Sequence, residues 1–246
     1  MAVLLASPLA AAPPVWASAE PSGGAASTAP SSTAPSGSGG ASPVTQGTGA
    51  AAGGGFTTAT GDGITVSAKA SALLGHSTTF VGEASARSAG KTVALQRHDA
   101  HAGWVSVATG TVVKGGIFWV AWRTNYAGRV TMRTVLEPTA GATRTGRASP
   151  SLQITVYRPA VATFYGTGFF GKKTACGSIL QPATLGVASR TLKCGTQVQL
   201  YYRGHTIVVP VIDRGPYAND ATWDLTQATA QALGIAGTET VGAMPV

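Results

Sequence analysis

The sequence predicts an all-β protein, a β-sandwich followed by a small barrel that carries one short helix. Three observations lead there. Between residues 56 and 158, seven short runs alternate apolar and polar side chains, most of them separated by glycine-containing turns. Between 161 and 246, two longer alternating runs flank a tight Arg203-Gly204 turn and precede a single helical stretch. Charged residues make up only 11% of the chain while glycine (33) and proline (14) are plentiful, a balance that suits strands and turns better than long helices.

Residues 1–19 read as a signal peptide. The apolar run Ala2-Val3-Leu4-Leu5-Ala6 leads to Ala17-Ser18-Ala19, an A-x-A cleavage pattern ahead of Glu20. The basic start of such a leader is missing, so either translation begins upstream or the signal is atypical. No cysteine follows the apolar run, so a lipid anchor is not expected. No later run approaches the roughly 18 apolar residues of a membrane-spanning helix. Residues 20–55 are Ser, Thr, Ala, Pro and Gly almost throughout. That composition buries too little apolar area to offset chain entropy, and predicts a disordered linker.

The seven runs of residues 56–158 are Ile64–Val66, Thr79–Val81, Val93–Leu95, Trp104–Val107, Phe118–Trp122, Val130–Met132 and Leu152–Val156. Seven short strands in about a hundred residues predict an immunoglobulin-like sandwich, here without a stapling cysteine pair. Trp104, Trp119 and Trp122 invite a sugar-stacking role. Trp119 and Trp122 stand on opposite faces of one strand, so at least one of them belongs to the core. His76, His98 and His101 share no ligand-like spacing with a carboxylate, and no metal site is expected.

In residues 161–246 the clearest strands are Thr196–Tyr202 and His205–Ile212, and the helix spans Gln227–Leu233, capped by Thr226 and stopped by Gly234. Both cysteines lie here, Cys176 and Cys194. In an exported protein the simplest reading is one disulfide; two buried free thiols are the alternative. The excess of 17 basic over 9 acidic residues attracts polyanions, but the basic residues are scattered singly, which argues against nucleic acid as a partner.

Three glycine-rich motifs frame this segment. The first is Ala162-Thr163-Phe164-Tyr165-Gly166 with Phe170-Gly171-Lys172-Lys173-Thr174-Ala175. The second is Leu192-Lys193-Cys194-Gly195-Thr196. The third is Ile212-Asp213-Arg214-Gly215-Pro216-Tyr217 with Trp223-Asp224-Leu225-Thr226. From the residues alone, Asp213 ends an apolar strand at a Gly-Pro turn, and Asp224 stands between apolar neighbours just before a helix. A carboxyl among apolar neighbours tends to hold its proton, as a general acid must, and two carboxylates in unlike surroundings can divide the work at a glycosidic bond. The plainer alternative makes Asp213 a turn cap and Asp224 a helix cap.

In this order and spacing the motifs resemble the rare lipoprotein A (RlpA-like) family, peptidoglycan lytic transglycosylases with a six-stranded double-psi β-barrel. The resemblance covers about a third of the chain; Asp-Arg-Gly-Pro together with the later Asp-Leu-Thr is its most specific part. It implies catalysis by Asp213 and Asp224 without cofactor, on peptidoglycan glycan strands, leaving 1,6-anhydromuramic ends. With the leader at residues 1–19, the protein is expected to be secreted, wall-associated and monomeric. Tyr165, Lys172, Arg214, Tyr217 and Trp223 are the expected substrate contacts, with Tyr165, Tyr217 and Trp223 exposed. Two positions depart from the family: Ser178 stands where relatives carry a glutamate and Ser189 where they carry a histidine. Neither serine can replace those groups in proton transfer. A non-catalytic, expansin-like glycan-binding barrel is the competing reading, and a protein-interaction or inhibitor barrel a third.

Overall fold

Strict alternation shapes the first half. In β5 (Ser77–Ala84) and β8 (Ile117–Arg123) every second residue is buried, placing Phe80 and Ala84, then Phe118, Val120 and Trp122, on one face. A computed structural model of the chain describes residues 52–53, 55–138, 146–218 and 220–246. The expected signal peptide and nearly all of the expected linker lie outside the described residues.

All seven anticipated runs fall within strands. Strands β2 (Phe56–Gly61), β3 (Ile64–Lys69), β5 and β8 make one antiparallel sheet in that order. Facing it, β7 (Gly103–Thr111), β6 (Thr92–Asp99), β9 (Gly128–Leu136) and β11 (Leu152–Phe164) make the second. The short β4 (Ser71–Leu73) pairs with β11, and β10 (Arg147–Ala148) with β9. Between the sheets, Val66, Phe80, Phe118 and Trp122 pack with Leu95, Met132 and Ile154 in one core. Each such side chain contributes about 1.5–3 kcal/mol by leaving water. Trp122 is 3% exposed and Trp119 57%, so the strand sends one inward and the other outward.

The sequence reading separates sandwich and barrel between 158 and 161; the structure joins them instead through a single strand. Thirteen residues long, β11 pairs with β9 over Leu152–Val156 and with β16 (Glu239–Pro245) over Arg158–Ala162. Tyr157, Arg158, Pro159 and Ala160 stay extended, and Pro159 lies opposite Gly242 without breaking the strand. The expected linker also changes character at its end, where β1 (Ala52–Gly53) pairs with Thr206 and His205.

Beyond Arg158 six strands close a ring. Around it run β11, β15 (Trp223–Leu225), β12 (Val187–Ala188), β14 (His205–Asp213), β13 (Gln197–Tyr202), β16 and β11 again. This is the barrel that the resemblance implies. Val198, Leu200, Ile207, Val209, Val211, Leu225 and Val241 fill it. Helix α1 (Gln227–Leu233) spans the anticipated residues. The Thr226 hydroxyl accepts from the Thr229 N–H at the front, and Gly234 takes a left-handed conformation (φ 74°) at the rear. Among the described residues no helix is long and apolar enough to cross a membrane.

Candidate active site

A bulge puts the two aspartates on one face. Along β14, Ile207, Val209 and Val211 point into the barrel, so simple alternation would send Asp213 inward as well. The pairing of β12 with β14 instead slips by one residue: Val187 faces Val211, but Ala188 faces Asp213. Ile212 is the extra residue, and the bulge turns Asp213 toward the outside. Ala188 also faces Asp224, which faces Thr163 on β11. Thr163, Asp224, Ala188 and Asp213 therefore form one rung across four strands. Residues opposite one another on neighbouring strands share a face, so both carboxylates project from the same side. Two strand spacings put their α-carbons about 10 Å apart, with Ala188, packed against Tyr165, between them.

The two carboxyls are held differently. Asp213 accepts three hydrogen bonds: from the Tyr165 hydroxyl (3.0 Å), the Ala175 N–H (2.7 Å) and the Arg214 N–H (2.8 Å). Asp224 accepts from the Thr163 hydroxyl (2.8 Å). Burial pushes the Asp224 carboxyl above its ordinary range; the Thr163 bond opposes the rise and the Asp213 charge adds to it. The helix-cap alternative for Asp224 fails, because Thr226 caps α1 and Asp224 lies in a strand. The turn-cap alternative for Asp213 holds in part, since one of its partners is the next residue's N–H.

Around this pair the expected contacts divide. Tyr217 is 79% exposed beside the Gly215-Pro216 turn, and Lys172 is exposed with its ammonium 5.0 Å from the centre of the Phe169 ring. Tyr165 and Trp223 are corrections, each under 10% exposed. Tyr165 packs with Leu180, Ala188 and Ile212 while its hydroxyl reaches Asp213; burial, the charge of Asp213 and the bond to it hold that hydroxyl protonated. Trp223 faces the barrel core, because β15 turns Asp224 outward and its neighbours must turn in. Arg214 is committed to structure. Its guanidinium donates to the carbonyls of Ser189 (3.1 Å) and Asp213 (3.3 Å) and approaches Cys194 Sγ (3.1 Å).

Cys176 and Cys194 form a disulfide, which settles the thiol alternative. It ties the Ala175 loop to the loop after β12. Ser189 is buried, and its hydroxyl accepts from Leu192 N–H (3.2 Å) and Thr191 N–H (3.4 Å), so it folds the loop. Ser178 is exposed and its carbonyl accepts from Thr174 N–H (2.8 Å). Among the described residues no three His, Cys, Asp or Glu side chains gather as a metal site would need. Sequence reasoning missed Thr163, the Ala175 N–H and Ala188. Thr163 lay in a quoted motif, but nothing in its type singled it out. The other two contribute a backbone group and a small size.

Residues 160–246 match a family described as "Lytic transglycolase". The "Probable endolytic peptidoglycan transglycosylase RlpA" of Synechocystis sp. is 39% identical over 77 residues, 30% of this chain and 24% of that protein. The "Endolytic peptidoglycan transglycosylase RlpA" of Pseudomonas aeruginosa is 37% identical over 81 residues, 32% of this chain and 24% of that protein. The chain thus spans about a quarter of the length of these curated relatives. Among solved structures, "Streptomyces papain inhibitor (SPI)" is 27% identical over 35% of this chain and 91% of that one, with a TM-score of 0.28. Sequence motifs, ring of strands and family match coincide on one segment: residues 160–246 are an RlpA-like double-psi β-barrel.

Proposed function

We infer that the protein is a secreted, wall-associated peptidoglycan lytic transglycosylase whose barrel cleaves glycan strands. The supporting observation is the rung that presents Asp213 and Asp224 side by side, one hydrogen-bonded three times and the other buried enough to favour its proton. The relatives named as peptidoglycan transglycosylases point to the same substrate. In this reading Asp224 gives its proton to the glycosidic oxygen between N-acetylmuramic acid and N-acetylglucosamine as the C1–O bond breaks. The muramic 6-hydroxyl oxygen then bonds to C1 and releases its proton to a carboxylate, leaving a 1,6-anhydro end with no water consumed. Asp213, fixed by its three donors, stabilises the positive charge that develops at C1. Tyr217 and Lys172 line the approach, and the sandwich acts as a spacer.

Purified sacculi test this. The protein should release 1,6-anhydromuropeptides, and Asp213→Asn and Asp224→Asn should each abolish release. Sedimentation with sacculi and no released product would favour the expansin-like reading, which the loss of proton-transfer groups at Ser178 and Ser189 supports. Release undiminished in both variants would refute the assignment.

A further inference from the structure

Where sandwich meets barrel, away from the aspartate rung, the molecule has a hollow. Lys69 and Ser71 at the β3–β4 corner, His76 before β5, and Tyr201 and Arg203 of the β13–β14 hairpin line a groove of about 330 Å³. A second hollow of about 320 Å³ adjoins it and shares Lys69, Ser71, Tyr201 and Arg203. Each falls at the low end of the roughly 300–1,000 Å³ usual for small-molecule sites. The wall between the two parts of the fold is well made. Tyr157 of β11 is buried and stacks on Tyr201 at 5.3 Å and 9°, so the exposed part of Tyr201 is a fixed aromatic surface.

Three features give the groove its chemistry. Among the described residues the one ion pair joins Arg97 to Asp99, so Lys69 and Arg203 carry unpaired positive charge into the same hollow. One acid, Glu239, also lines the groove, so its two cations and His76 face a single carboxylate. Finally, Arg203 occupies a position that disfavours it. The hairpin closes through a two-residue turn in which Arg203 has φ 45° and Gly204 φ 96°, and such a first position suits Asn, Asp or Gly. Backbone conformation gives no reason to place arginine there. The Arg203 guanidinium lies 5.1 Å from the centre of the Tyr202 ring, and both residues line the groove.

We propose that this groove is a second saccharide site, for a sugar ring bearing a carboxylate. The ring rests on Tyr201, the carboxylate lies between Lys69 and Arg203, and the Ser71 and Thr240 hydroxyls border the ring's polar edge. The cations supply charge complementarity, and the two adjoining hollows leave room for consecutive units of a polymer. The site stands apart from the aspartate rung, so it holds whether or not the barrel cleaves glycan.

N-acetylmuramic acid and N-acetylglucosamine form a clean pair of probes, because they differ by the lactyl carboxylate. In amide NMR titrations of the whole chain, N-acetylmuramic acid should shift Lys69, Tyr201 and Arg203, and N-acetylglucosamine at the same concentration should not. Arg203→Asn separates the site from folding. It places a favoured residue in the turn, so its Tm should equal or exceed that of the parent, while affinity for N-acetylmuramic acid falls at least tenfold. Lys69→Ala should weaken binding likewise. Equal responses to both sugars, or to inorganic phosphate and N-acetylmuramic acid, would overturn the proposal. So would unchanged affinity in Arg203→Asn. Asp224→Asn should bind N-acetylmuramic acid at this groove as the parent does, which keeps the result independent of catalysis.

Discussion

Replacing Thr163 by valine tests how the acid is tuned. Valine keeps the shape of threonine and removes the hydroxyl that donates to Asp224 Oδ1 at 2.8 Å. That bond favours the charged carboxylate, and burial and the Asp213 charge oppose it, so removing it must raise the Asp224 pKa further. A hydrogen bond to a charged group contributes about 1.5–3 kcal/mol, or roughly one to two pH units at 1.36 kcal/mol each. Asp224 is partly exposed and water can replace part of the bond, which leaves about one unit. Titration of the Asp224 side-chain carboxyl by carbon-13 NMR reads the shift directly. Product release from sacculi reads its consequence: a general acid works protonated, so the limb where activity falls with rising pH should move to higher pH. Asp213→Asn removes a like charge and should move the Asp224 titration the other way, readable by NMR even where activity is lost. A Thr163→Val titration that stays in place or moves down would refute this account of the site.

Three further outcomes follow from the same geometry. The folded-state pKa of Asp224 is raised, so the stability this residue contributes is full below the ordinary aspartate range, near pH 4, and is lost as pH rises through the folded value. Asp224→Asn should therefore melt higher than the parent at pH 7 and lose that advantage below about pH 4; a lower Tm at pH 7 would contradict it. Cys176→Ser with Cys194→Ser opens a loop of sequence separation 18, for which chain entropy gives about 3 kcal/mol of lost stability, measurable by denaturant titration. Gly186→Ala would set a methyl 2.6 Å from Ile212 Cδ1, forcing the bulge residue aside; a loss of about 1–3 kcal/mol and a fall in sacculus cleavage are expected.

Local pattern made much of the fold legible. Short apolar runs located the strands that carry Phe80, Phe118 and Leu95 into the core, and the Thr226 and Gly234 caps delimited α1 to the residue. Features that depend on long-range pairing were not legible. Pro159 reads as a break between two strands, and the continuity of Tyr157 to Ala160 through two sheets shows only when β9 and β16 are seen to share β11. Tyr165 and Trp223 looked like groove aromatics because residue type invites that reading, whereas their exposure depends on which face the neighbouring aspartate takes. The site residues Asp213 and Asp224 were recognisable as acids near turns. Their meeting depends on a one-residue slip between Val187 and Ala188, and strand pairing of that kind leaves no trace in a single sequence.

The slip also bears on the two serines that depart from the family pattern. Without a histidine at 189 or a glutamate at 178, the orientation of Asp213 must come from elsewhere, and the loops supply it. Ala175 donates to the carboxylate, its neighbour Cys176 is bonded to Cys194, and Arg214 spans from Cys194 Sγ to the Ser189 carbonyl. The three loops that approach Asp213 thus form one cross-linked unit in which the serine at 189 folds its own loop. An imidazole there would add a titrating group, whereas this arrangement holds the carboxylate with backbone N–H groups and a tyrosine that stays protonated. Proton supply then falls to Asp224 alone, so the pH dependence of cleavage should follow one carboxyl on its alkaline side rather than a carboxyl and an imidazole.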